Sequence, residues 1–169
     1  MKRTLIVVDM QNDFISMAMG SAEAEAILPA VKEKIARYAA RGDEIIYTRD
    51  THGEDYLDTP EGRKLPVVHC VRGTEGWQLA EGIYIPGSRI IDKPTFGWTG
   101  WGSESFEAVE LVGLCTDICV VSNALILRAL FPDAEISVDP GCCAGVTPES
   151  HEAALCVMKM CQIDVTDGK

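Results

Sequence analysis

The residues best suited to covalent chemistry in this chain are Cys119, Asp9 and Lys93, and each stands at the end of an expected strand. Cys119 lies in LVGLCTDICVV, Leu111 to Val121, whose opening apolar run up to Gly113 has the pattern of a buried parallel strand. Thr116 and Asp117 have the character of helix caps, and from Ile118 to Leu130 the chain is almost wholly apolar and of helical length. Cys119 is therefore expected in the first turn of a helix. There, unpaired N–H groups and the positive end of the helix dipole favour a thiolate over a thiol. The alternative is a buried structural cysteine, a common fate in so apolar a context. Asp9 closes the run from Thr4 to Val8, and Lys93 follows Arg89 to Asp92. A carboxylate, an ammonium and a thiol form a coherent hydrolytic set. Lys93 would stabilise the thiolate, and Asp9 would accept the thiol proton and return it to a leaving amine. On pattern alone, a surface ion pair accounts for Asp9 and Lys93 equally well.

The elements that would hold these residues alternate between strand and helix. Thr4 to Val8 is continuous, apolar and β-branched, as in a central parallel strand, and the polar loop MQNDF follows. Between Ser21 and Arg41 the apolar residues Ile27, Leu28, Val31, Ile35, Tyr38 and Ala39 recur with helical spacing, and Gly42 suits the C-cap. Glu44 to Thr48 is a second strand, ending in Arg49-Asp50-Thr51-His52. Gly53 to Gly82 has no strong period and reads as a long polar loop with a short helix near Trp77 to Ala80. Loops of that length in compact domains are usually functional or disordered. Strands are expected at Arg89–Asp92, Glu107–Leu114, Glu135–Val138 and Ile163–Val165, with a last helix over Glu149–Met160. The implied fold is α/β: a single domain over residues 1–169 with a three-layer, doubly wound, mostly parallel sheet and helices on both faces. Open sheets of this kind bind ligands at the carboxyl ends of their strands, where all three candidates fall. The helix from Ile118 to Leu130 is apolar nearly all round and is expected to be buried or to meet another subunit.

A formal net charge of −11 argues against nucleic acid or an anionic membrane as partner and fits a small neutral substrate. Seven cysteines cannot all pair within one chain, and neither C-x-x-C nor a zinc-ribbon spacing occurs, so a reducing cytoplasm is expected. The opening MKRTLIVVDM has an apolar run too short for a signal peptide. No segment approaches the ~20 apolar residues needed to cross a bilayer.

Three blocks carry a family resemblance: DMQNDF at Asp9–Phe14, KPTFG at Lys93–Gly97 and GLCTDICV at Gly113–Val120. With these blocks in this order, the chain resembles the isochorismatase-like cysteine hydrolase superfamily and, within it, the nicotinamidases, over nearly its full length. The resemblance implies that Asp9, Lys93 and Cys119 are the catalytic triad. It implies a cis peptide at Leu114–Cys115, which turns the Cys115 N–H toward the site to form an oxyanion hole with the Cys119 N–H. It also implies a metal site, usually zinc, formed by an Asp-x-His pair and a later His, which here fall on Asp50, His52 and His69. Glu61 is a weaker candidate for a fourth ligand, and His151 reads as a surface or structural residue.

The expected reaction is hydrolysis of nicotinamide to nicotinate and ammonia through a Cys119 thioester, in recycling toward NAD. Phe14, Phe96 and Trp98 are candidates for packing on the ring, with plain core packing as the other reading of each. Family members are commonly oligomeric, so a homo-oligomer is expected. One departure stands out. Many relatives carry a longer helix between the lysine and the next strand, whereas here only FGWTGWGSESF intervenes, which points to a reshaped pocket rim. Three alternatives follow: an amidase for another small amide or carbamoyl compound, a silent binding or redox member using Cys142-Cys143, or a hydrolase whose metal generates the attacking hydroxide.

Overall fold

The computed structural model describes residues 3–166; the first two and last three positions of the expected 1–169 domain lie outside the described residues. In chain order the elements are β1 (Arg3–Val8), α1 (Asn12–Ile15), α2 (Ala22–Arg41), β2 (Glu44–Asp50), α3 (Pro60–Lys64), β3 (Arg89–Lys93), β4 (Ala108–Leu114), α4 (Val121–Leu130), β5 (Glu135–Ala144), α5 (Pro148–Met160) and β6 (Asp164–Val165). Short 3₁₀ turns occupy Tyr56–Asp58 and Thr99–Ser103, and a single π turn, Thr116–Val120, precedes α4.

The six strands form one sheet in the order β3-β2-β1-β4-β5-β6, and every described pairing is parallel. The architecture is the expected three-layer α/β fold, with an all-parallel rather than mostly parallel sheet. Alternation along β1 shows why its run is wholly apolar. Leu5 and Val7 pack under α2, with Val31, Ile35 and Tyr38, while Ile6 and Val8 face α4 and α5, with Ala124, Leu127 and Met158. The Ser21 side chain accepts from the Ala24 N–H at the start of α2, and Gly42 ends the helix at φ +73.

Several expectations are corrected. MQNDF is not all loop, because Asn12–Ile15 form a helical turn. No helix forms at Trp77 to Ala80; Leu79 bridges Gln11, and the only described helical pieces between Gly53 and Gly82 are Tyr56–Asp58 and Pro60–Lys64. β2 runs on to Asp50 and β5 to Ala144. β5 carries an irregularity around Pro140 and Gly141, since Leu111 pairs with Val138 but Gly113 with Cys143. The final strand covers only Asp164–Val165. α4 is buried on one face, at Asn123, Ala124 and Leu127, while Val121, Leu125 and Ile126 are half-buried and Leu130 is exposed. Among the described residues no helix is long and apolar enough to cross a membrane.

Candidate active site

Strand order reverses direction between β1 and β4, which creates a crevice beyond their carboxyl ends. Asp9 is the first residue past β1 and adopts φ +46, a conformation that non-glycine residues rarely hold. Beyond β4, the Leu114–Cys115 peptide is cis, as the resemblance implies. Gly113 has φ +117, and a Cβ there would lie 2.1 Å from the Val8 carbonyl oxygen, so only glycine permits this approach of β4 to β1. Lys93 ends β3, two strands from β1, and its long side chain spans the end of β2.

These three residues meet. The Lys93 Nζ lies 2.5 Å from Asp9 Oδ2 and 3.8 Å from Asp50 Oδ1, and donates to the Cys119 Sγ at 3.5 Å and to the Thr95 carbonyl at 3.2 Å. Asp9 and Lys93 are 0% exposed and Cys119 4%, which excludes a surface ion pair. Thr48, not singled out from sequence, donates its hydroxyl to Asp9 Oδ1 at 2.6 Å.

Burial raises the pKa of Asp9, against the opposing pull of Lys93. Burial by itself would lower that of Lys93, yet Asp9, Cys119 and Asp50 together carry it above the ordinary range, so the ammonium stays charged. Burial, then the Asp9 charge, push the Cys119 thiol well up, and Lys93 only partly offsets them. This corrects the expectation that the helix start by itself favours a thiolate. A carboxylate with a raised pKa is a stronger base, so Asp9 is suited to take the thiol proton when the sulfur attacks.

Cys119 also sits differently on its helix. It lies in the π turn rather than in the first turn of an α-helix, and Thr116 and Asp117 are not caps. Thr116 Oγ1 lies 2.8 Å from His151 Nδ1, so His151 braces the cysteine turn from α5. Asp117 accepts the Val146 N–H at 3.1 and 3.2 Å.

Beside the triad, Asp50, His52, Glu61 and His69 bring one donor atom each within 4.8 Å of one another. Asp50 Oδ2 is 2.9 Å from His52 Nε2 and 3.6 Å from His69 Nε2, and Glu61 Oε1 is 3.7 Å from His52 Nε2. The backbone explains how His69 arrives from a distant stretch. The His52 N–H donates to the Cys70 carbonyl, and the Arg72 N–H to that of His52, so this strand-like segment docks beside the end of β2. His69 donates Nδ1–H to the Val67 carbonyl at 2.7 Å, leaving Nε2 with its lone pair toward Asp50. Asp50 Oδ1 is buried without a hydrogen-bond partner. Two imidazoles, two carboxylates and an unsatisfied buried oxygen fit a divalent transition-metal ion. Gln11, from the first motif, holds this carboxylate's backbone. It donates to the Asp50 carbonyl at 2.9 Å and accepts the Asp50 N–H at 2.8 Å. Asp13 likewise accepts the Cys70 N–H at 2.7 Å, which anchors the residue next to His69.

A cavity of about 500 Å³ opens over both groups. Cys119, Asp50 and His69 form part of its wall, with Phe14, Phe96 and Ile118 supplying apolar surface. Phe14 meets His69 edge-on at 5.5 Å, and Phe96 is 44% exposed at the rim. Trp98 does not reach this cavity; its ring packs edge-on against Trp101 at 4.7 Å. Sequence reasoning also missed Met19, Ser21, Ala24, Leu65 and Val146 on the wall, since nothing local marks them. Cys142 and Cys143 are buried on opposite faces of the sheet, in different core clusters, which is poor placement for a redox pair.

Comparisons with known proteins identify what the chain is similar to. An isochorismatase domain family model matches residues 3–169. The chain is 28% identical to the nicotinamidase/pyrazinamidase of Mycobacterium tuberculosis, over 96% of this chain and 97% of that protein. In structure it is similar to a nicotinamidase/pyrazinamidase from Bacillus subtilis, with a TM-score of 0.87, 26% identity and coverage of 99% and 100%. It is likewise similar to a pyrazinamidase of Pyrococcus horikoshii solved in complex with zinc, with a TM-score of 0.84, 30% identity and 98% coverage of both chains.

Proposed function

The chain belongs to the isochorismatase domain family, and within it we propose that this site hydrolyses nicotinamide to nicotinate and ammonia. The observation that carries the reading is the buried meeting of Asp9, Lys93 and Cys119 at a cavity whose wall includes Cys119 together with Asp50, Glu61 and His69 of the neighbouring cluster. We read residues 1–169 as one hydrolase domain acting in the cytoplasm.

Cys119 is the nucleophile. As its sulfur attacks the amide carbon, Asp9 takes the thiol proton while Lys93 holds the negative charge that passes from the Asp9 carboxylate to the sulfur. The backbone N–H groups of Cys115 and Cys119 stabilise the tetrahedral oxyanion. Asp9 then gives its proton to the departing ammonia, leaving an acyl thioester on Cys119. In the second half Asp9 accepts a proton from the attacking water, and thiol and nicotinate are released. Asp50, His52, His69 and Glu61 would hold a divalent ion, most readily zinc, and such an ion supplies a Lewis-acidic contact for the pyridine nitrogen that orients the ring. Phe14 and Phe96 form the apolar sides of the ring site. A related small amide is the second reading, favoured by a cavity roomier than one pyridine ring requires.

Ammonia release from nicotinamide by the purified protein tests the proposal directly. Release that disappears in Cys119→Ala is expected. Release that survives in that variant removes the thioester route, and no release from folded wild type, with turnover of another small amide, selects the second reading.

A further inference from the structure

Asn123 is the only side chain of an otherwise apolar stretch of α4 that is polar and fully buried, at 0% exposure. All four of its amide hydrogen-bonding positions are used. Its Oδ1 accepts the Trp98 N–H at 3.0 Å and the Trp101 Nε1–H at 2.8 Å. Its Nδ2 donates to the Phe96 carbonyl at 3.2 Å and to the Cys119 carbonyl at 2.8 Å. Two donors on one side and two carbonyls on the other fix the amide's orientation. One side chain thus ties the cysteine's own carbonyl to three residues of the segment that follows Lys93.

That segment lies close against α4. A Cβ at Gly97 would come within 2.5 Å of Ile126 Cδ1 and 3.3 Å of the Ser122 backbone carbon, so a larger residue there would have to displace the Ile126 side chain. The fully buried Trp101 seats the segment in the core beneath. Phe96, at its start, is a wall of the cavity. The stretch is short and rich in glycine, with no helix longer than the turn Thr99–Ser103 to hold its shape, so its position depends on what it is fastened to.

We propose that Asn123 is a positioning residue that joins the Phe96 wall and the Cys119 turn into one rigid unit, setting the distance from bound ring to nucleophile. The inference rests on the reading of Cys119 as nucleophile. Displacements of about 1 Å at sites remote from the chemistry can cost ~100-fold in rate, so the fastening matters even though Asn123 touches no reacting atom.

The test measures kcat and KM per folded molecule in Asn123→Ala and Gly97→Ala, with the folded fraction taken from circular dichroism, and the rate of Cys119 alkylation by iodoacetamide, resolved by peptide mass spectrometry from that of the exposed Cys156 and Cys161. In Asn123→Ala, KM for nicotinamide should rise and kcat should fall, with kcat/KM down ~10- to 100-fold per folded molecule. Gly97→Ala, which pushes the same wall outward and leaves the amide in place, should raise KM several-fold with kcat nearly unchanged. A residue needed only for folding would lower the folded fraction and leave both constants per folded molecule at wild-type values; that result overturns the proposal. Should Asn123→Ala fail to fold, Asn123→Ser and Gly97→Ala carry the same comparison. If wild type does not hydrolyse nicotinamide, the proposed function falls, and the positioning role is then read from the alkylation rate alone. A several-fold slowing in the Asn123 variant supports it, and an unchanged rate refutes it.

Discussion

Two lysines lie in the interior of this protein with nearly the same company. Lys93 sits between Asp9 and Asp50 and donates to the Cys119 thiol. Lys34, on α2, sits 2.6 Å from both Glu110 and Asp139, and the charge of that same Asp139 acts on the Cys142 thiol. Each group contains one ammonium, two carboxylates and a thiol whose pKa burial pushes up, for Cys142 to about 12. Their surroundings separate them. Cys119 stands on the wall of a cavity, in a turn next to the cis peptide, whereas Cys142 is packed under α2 and a further hydrogen bond from Tyr38 to Glu110 closes the cluster. The Lys34 group joins α2 to the sheet; the Lys93 group faces a space that a substrate can enter. Residue types do not distinguish a structural charge cluster from a reactive one, but access and backbone placement do.

The strongest test of that contrast substitutes the two thiols. Cys119→Ala should lower kcat by about 10⁴-fold or more, as removal of a nucleophile does, with little change in melting temperature. Cys142→Ala should leave kcat and KM within about twofold in an activity assay, at a cost of about 1 kcal/mol in urea unfolding. Comparable losses of activity in the two variants would break the distinction.

Next come the lysines. Lys34→Met strands two buried carboxylates and should destabilise the fold by about 3–5 kcal/mol in denaturant titration, with kcat per folded molecule near wild type. Lys93→Met should lose ~100-fold or more in kcat even in the fraction that folds, because the charge that holds the thiolate is gone.

Chelation is expected to act on one region alone. Removing a divalent ion from Asp50, His52, Glu61 and His69 should lower both nicotinamide turnover and thermal stability, since an ion that binds only the folded state stabilises it. Zinc should restore both, and His69→Ala should abolish the response. Lys34→Met should respond to chelator as wild type does.

A smaller effect depends on pH. Burial would lower the Lys34 pKa, but its hydrogen bonds to Asp139 and Glu110 raise it above the ordinary 10.5. The folded pKa then exceeds the unfolded one, so the Lys34 contribution is fully present below about pH 10.5 and is lost as pH climbs through the folded value. The stability gap between wild type and Lys34→Met should stay constant from pH 7 to about pH 10 and narrow above, as urea unfolding across that range will report. Narrowing already between pH 7 and 9 contradicts the sign. Smallest of all, Phe96→Ala should raise KM about 5- to 10-fold with kcat little changed, the loss expected for one aromatic contact at a half-open rim.

Much of the site could be read from local sequence. Asp9, Lys93 and Cys119 were placed by the apolar runs before them, because a buried parallel strand is written as consecutive apolar residues and its carboxyl end is where such sheets bind. The α2 boundaries were equally local, since Ser21 and Gly42 act within one turn. Local reading misled in two places. The strand expected over Glu135–Val138 runs on through an irregularity to Ala144, and Thr116 and Asp117 resembled caps but bond to His151 and Val146 instead. In both, contacts from elsewhere in the chain outweighed a local preference worth about 1 kcal/mol.

The sequence by itself determined the α/β alternation, the buried strands and the chemical identity of the reactive residues, all of which follow from the order of apolar and polar side chains along short stretches. The convergence of His69 and Glu61 on Asp50 across a long aperiodic loop was legible only through the family resemblance, and the tertiary structure supplies the docking that brings it about. Tertiary structure also decided that Trp98 turns away from the cavity, that Lys34 joins α2 to the sheet, and that Asn123 hydrogen-bonds both the Cys119 carbonyl and the segment after Lys93. Those outcomes depend on which distant backbone segments dock against one another, and pairwise contacts of high sequence separation leave no periodic trace in the chain.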